Sequence, residues 1–135
     1  MAFFLKNWEK YLYSILRIVV GFLFLWHGSM KLFGFPPEAG GGAMPMGLLI
    51  IGGIIEFFGG LFIMLGLFTH ISAFLSSGQM AVAYWMFHAN MGLLPVINHG
   101  ELAVLYCFVL LYIASRGSGI WGLDNLIFKS SKENK

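Results

Sequence analysis

Three ionisable side chains stand in stretches that are otherwise apolar: Arg17, Lys31 and Glu56. A charge at the centre of a membrane helix costs about 2.5–3.5 kcal/mol on insertion scales, so such a group is kept with a partner or a task. His27, His70, His88, His99 and a second acid, Glu101, add groups able to move protons or hold a polar head group. Glu56 is the candidate catalytic residue, a carboxylate that would accept and release a proton. Arg17, His27, Lys31, His99 and Glu101 are the candidate ligand-binding residues. The histidines come from different depths and no metal-ligand spacing stands out, so no metal site is expected. Cys107 is the single cysteine, which excludes an intrachain disulfide and a CxxC redox pair. No haem or flavin fingerprint is present, so electron transfer by this chain alone is not expected.

The surrounding chain has 135 residues, 59% hydrophobic and 10% charged, with a mean hydropathy of +0.81. A soluble domain carries about 25% charged residues, and the polar surface here is too small to cover a water-soluble fold. A formal net charge of +2 gives no argument for nucleic acid. The fold class expected is an all-α membrane protein: a four-transmembrane-helix bundle with a short C-terminal interfacial segment, forming a single domain over 1–135. Charges, Gly and Pro set spans at about 11–33, 46–68, 70–91 and 98–115, with a cytoplasmic tail over 116–135. Gly34-Phe35-Pro36-Pro37 stops the first span and Pro45 opens the second. Thr69-His70 is a tight reversal, and Asn98-His99-Gly100-Glu101 has the spacing of a capping box. Lys6 and Lys10 precede the first span, while Arg116, Lys129, Lys132 and Lys135 follow the fourth. The loops at 34–45 and 92–97 carry no Lys or Arg. The Lys/Arg bias therefore puts both termini in the cytoplasm of a bacterial-type plasma membrane, and the partner common to all spans is the lipid bilayer.

Helical geometry groups the polar residues. Ser14, Arg17, Gly21, Gly28 and Lys31 share one face of the first span; Gly52, Glu56, Gly59, Gly60 and Gly66 share a stripe of the second. Glu56 lies on the small-residue face, where another helix packs closely, so it points inward. Counting from the span ends at 1.5 Å per residue puts Arg17 roughly 10 Å nearer the cytoplasm than Glu56 and Lys31 roughly 10 Å nearer the outside. His27 is then the nearest ionisable partner for Glu56, Arg17 can snorkel to the interface and Lys31 is an interfacial anchor. His27, Lys31, Asn98, His99 and Glu101 outline a polar vestibule opening outward above Glu56.

These residues lie in segments that resemble the DoxX family of small four-helix membrane proteins: R-I-V-V-G-F-L-F-L-W-H-G-S-M-K (17–31), G-G-I-I-E-F-F-G-G-L-F-I-M-L-G-L-F-T-H (52–70), N-H-G-E-L-A-V-L-Y (98–106) and G-S-G-I-W-G-L-D (117–124). The resemblance runs over about residues 11–125. It implies a link to respiratory redox chemistry, since relatives include a subunit of thiosulfate:quinone oxidoreductase. It also implies Arg17, Lys31, Glu56, Glu101 and Asp124 as the recurrent polar positions.

Two functional readings follow. One is a redox-associated subunit that binds quinone, with no covalent cofactor, or couples a partner oxidoreductase subunit to the quinone pool. The other is a non-enzymatic protein: a scaffold that assembles with itself, a lipid binder or a small-solute permeation protein. The sequence leaves open whether the chain is itself an enzyme.

Overall fold

The computed structural model describes residues 3–37 and 44–129, and these form helices and turns without a strand. The helices are α1 (Phe3–Lys6), α2 (Glu9–Phe33), α3 (Met46–Leu65), α4 (Thr69–Ala83), α5 (Glu101–Arg116) and α6 (Leu123–Lys129). A π turn (Tyr84–His88) and a 3₁₀ turn (Ala89–Met91) continue α4. Among the described residues, two helices, α2 and α3, are long and apolar enough to cross a membrane.

Local chemistry sets the ends. Gly34 adopts the left-handed conformation (φ 64°) and its N–H returns to the Met30 carbonyl, closing α2. Gly66 (φ 69°) closes α3 three residues before the expected end at residue 68, and the chain reverses through Leu67 and Phe68 into Thr69. The expected capping box at Asn98–Glu101 does not form: α5 begins at Glu101 with no side-chain cap. Asn98 is fully buried, and its amide is already engaged by the Gly92 carbonyl (2.6 Å), the Tyr84 hydroxyl (3.2 Å) and the Gly100 N–H (2.8 Å).

Each long helix packs on the next in chain order, and α5 returns to touch α2. The α2–α3 seam is the tightest because glycines remove the side chains from it. A Cβ on Gly21 would lie 2.7 Å from the Gly60 carbonyl oxygen, and one on Gly28 would lie 2.8 Å from the Glu56 carbonyl carbon. On the other side, the Ser77 hydroxyl donates to the Cys107 carbonyl (2.7 Å), tying α4 to α5. Phe24, Ile63, Ala73, Leu110 and Ile113 fill the centre.

The distribution of polarity is inverted relative to a soluble protein. Arg17, Glu56, Ser14 and Ser76 are buried to 1% exposure or less, while Ile71, Phe74 and Phe108 are more than 60% exposed. Apolar surface on that scale belongs against lipid. Replacing Gly60 by Leu is expected to force the seam apart and destabilise the fold by about 2–3 kcal/mol. Gly47, with open space at its Cβ position, should accept Ala with no loss. Thermal melts of the purified protein followed by circular dichroism check both.

Candidate functional site

Helix register decides what Glu56 meets. Gly28 lies against the Glu56–Phe57 backbone, and a Cβ on Gly53 would lie 3.1 Å from the Lys31 Cβ. Lys31 therefore sits one helical turn from Glu56 along the seam, within reach of its four-carbon stem. Its ammonium bonds to Glu56 Oε1. Gln79, from α4, donates to the same oxygen (2.8 Å) and to the Gly52 carbonyl (3.2 Å). Glu56 Oε2 and Gln79 Oε1 are buried and have no hydrogen-bond partner among the described residues. The Lys31 side chain keeps 25% of its surface exposed against 1% for Glu56, so Lys31 is the edge of the cluster.

This corrects two expectations. His27 is not the partner of Glu56: its ring stands edge-on to Tyr106, with centroids 6.0 Å apart. Lys31 is not a free anchor but the counter-ion. The depth count failed because it aligned the start of α2 with the end of α3. The contacts of Gly21 with Gly60 and Met64 instead set that end more than two turns up α2.

Arg17 also departs from expectation. It is fully buried rather than snorkelling, and it points away from Glu56. Nη1 donates to the carbonyls of Ile63 (2.6 Å) and Met64 (2.7 Å), and Nη2 to that of Trp121 (3.2 Å). Asp124 answers from α6. Its carboxylate accepts the N–H groups of Phe68 (2.7 Å) and Thr69 (3.0 Å), and its own N–H donates to the Gly66 carbonyl (2.8 Å). A cation thus caps the end of α3 and an anion the start of α4, each at the dipole end that favours it.

The rest of the outer vestibule does not close on Glu56. His99 and Glu101 are exposed and make no side-chain hydrogen bond among the described residues, and Asn98 is held inside the loop beside His88, whose Nδ1 lies 3.0 Å from its carbonyl. At the opposite end, Arg116 pairs with Glu9 (3.1 Å). His70 is exposed there, with Nδ1 2.6 Å from the Ala114 carbonyl. Of the sequence candidates, then, Lys31 and Glu56 come together, and Gln79 joins them unannounced. Its signal was present: Gln79 shares a face of α4 with Ser72 and Ser76, and that face meets the Gly stripe at Gly59, where Ser76 Oγ fills the gap.

Chemically, Oε1 is saturated and Oε2 is not. A buried acceptor without a donor costs about 1–3 kcal/mol, so Oε2 is where a proton, a hydroxyl or a water gains most. Lys31→Met should destabilise the protein by about 3 kcal/mol by stranding a buried carboxylate. The double variant Lys31→Met/Glu56→Leu should recover most of that loss. Parallel thermal or denaturant melts of the single and double variants measure the coupling.

The DoxX family model matches residues 12–89, a stretch holding Arg17, His27, Lys31, Glu56 and Gln79 but ending before His99, Glu101 and Asp124. The chain is also 42% identical over 130 residues to an uncharacterized protein of Haemophilus influenzae, covering 93% of this chain and 97% of that one. No solved structure matches. Matched over more than half its length, with apolar helices outside and paired charges within, the chain belongs to the DoxX family and is a membrane protein of it.

Proposed function

We propose that the protein spans the bacterial plasma membrane four times with both termini in the cytoplasm, and that the Lys31–Glu56–Gln79 cluster receives a quinone head group on behalf of a partner oxidoreductase. Support for four passes comes from helix length and exposure. Beyond α2 and α3, the helical run from Thr69 to Met91 is unbroken, and α5 has 16 residues, about 24 Å. The Glu9–Arg116 pair and the Tyr13 hydroxyl on the Gly117 carbonyl (2.5 Å) bring the start of α2 beside the end of α5, as an even number of passes requires.

One observation carries the functional reading: a carboxylate that is 1% exposed, with one oxygen held by two donors and the other left without a partner among the described residues. Both kinds of hydrogen-bonding group that a quinone needs are there. Glu56 Oε2 and Gln79 Oε1 are acceptors for the hydroxyls of the reduced form, and the Lys31 ammonium has donors beyond the one given to Glu56 for the carbonyls of the oxidised form. When bound, a quinone carries two electrons and two protons between the partner enzyme and the membrane pool. Glu56 takes up or releases a proton at Oε2. Lys31 offsets the carboxylate charge, and Gln79 fixes Oε1 so that Oε2 stays presented.

The alternative is a purely structural ion pair, favoured by the fact that Lys31 and Glu56 tie the same two helices that the glycines already join. Menaquinone titration of the protein in nanodiscs separates the two. Saturable binding weakened about tenfold by Glu56→Gln, with the melting temperature nearly unchanged, is the expected result. Absence of saturable binding in the unaltered protein leaves the structural pair. For topology, a Cys107→Ser background carrying Val96→Cys should react with a membrane-impermeant maleimide on intact cells, and Lys6→Cys should react only after lysis.

A further inference from the structure

At the end of the molecule away from the Glu56 cluster, the α3–α4 reversal, the start of α2 and the segment after α5 enclose an open cavity of about 860 Å³. Its walls carry two cationic side chains, Lys10 and Arg116, the His70 imidazole, and an apolar flank of Ile71, Ile120 and Phe128. The acid on its wall, Asp124, has both oxygens committed to the N–H groups of Phe68 and Thr69, and Glu9 is committed to Arg116. Among the described residues, the Lys10 ammonium is therefore the cavity's cation without a carboxylate paired to it.

Two further groups belong to residues that line the same space. The first turn of α4 has no carbonyls of its own for its leading amides. Asp124 takes those of Phe68 and Thr69, which leaves the N–H groups of His70 and Ile71, both cavity residues. Thr69 also lines the cavity; it is fully buried, and its hydroxyl has no partner among the described residues. A helix N-terminus, an orphaned hydroxyl, the Lys10 ammonium and a histidine belong to the lining of one volume, beside a greasy wall. That combination recognises an oxyanion attached to something apolar.

We infer that this cavity binds the phosphate of an anionic phospholipid, with the acyl chains lying along Ile71, Ile120 and Phe128. The inference rests on the membrane reading, because a lipid reaches the cavity only if this end of the protein lies at a bilayer surface. Anionic lipids supply such a phosphate at the cytoplasmic leaflet.

Native mass spectrometry of the full chain, released from detergent with defined lipids, tests it. Phosphatidylglycerol should be retained about tenfold over phosphatidylcholine, which carries the same phosphate with a compensating cation. Lys10→Gln should weaken phosphatidylglycerol about fivefold, and Thr69→Val, which keeps the backbone N–H on Asp124, should weaken it measurably. Lys6→Gln, outside the cavity, should leave it unaltered. Equal retention of the two lipids, or equal effects of Lys10→Gln and Lys6→Gln, overturns the site. Glycerol 1-phosphate binding as tightly as the lipid and displacing it would assign the cavity to a soluble phosphate and overturn the lipid assignment. Failure of the membrane reading looks different: neither lipid would stay bound.

Discussion

A tight reversal between two helices leaves backbone groups without intrahelical partners, and at the α3–α4 reversal Arg17 and Asp124 supply partners from elsewhere in the chain. Gly66, Leu67 and Phe68 turn the chain so tightly that the unpaired carbonyls of α3 and the unpaired amides of α4 lie side by side. Arg17 takes the carbonyls and Asp124 the amides, from opposite ends of the sequence. Because Arg17 belongs to α2, the clamp also fixes where α2 lies along α3. One turn further, Gly21 nests against Gly60 and Met64; two turns beyond that, Gly28 meets the backbone at Glu56. The position of Lys31 opposite Glu56 follows from this register.

The same seam explains how a carboxylate survives in so apolar a setting. Glycines bring the two backbones together, which shortens the distance a lysine stem must cover. Gln79 then supplies a second donor from α4, so three helices contribute to one oxygen. The arrangement is asymmetric. Oε1 is held by two donors, and Oε2 is buried with no partner among the described residues.

Much of this was legible in the residues themselves. α2 closes at Gly34, where the Gly-Phe-Pro-Pro run suggested, and α3 ends at Leu65, three residues before the expected bound at 68, capped by a Gly66 that the expected span includes. The Gly stripe turned Glu56 inward, as the burial of that side chain bears out. What the sequence hid were partners that depend on register or on backbone. Lys31 was set aside because depth was counted from span ends, whereas the glycine contacts set it. Among the described residues Arg17 bonds only to carbonyls, which leave no mark in a sequence. Asn98 carried the spacing of a cap, but its Oδ1 accepts the Gly100 N–H ahead of the helix, while its Nδ2 donates to the Tyr84 hydroxyl and the Gly92 carbonyl. Gln79 was visible as part of a polar face of α4, and only the rotation of that face toward α3 made it part of the site.

Proton exchange at Glu56, as proposed above, is the point on which the functional reading turns. It is followed most directly by infrared difference spectroscopy of the protein in nanodiscs, comparing menaquinone with menaquinol, in water and in deuterium oxide. A proton-exchanging Glu56 predicts a carboxyl band that changes between the two forms, shifts with deuterium and disappears in Glu56→Gln. A carboxylate spectrum identical in both forms, and unaffected by removing Glu56, would contradict it.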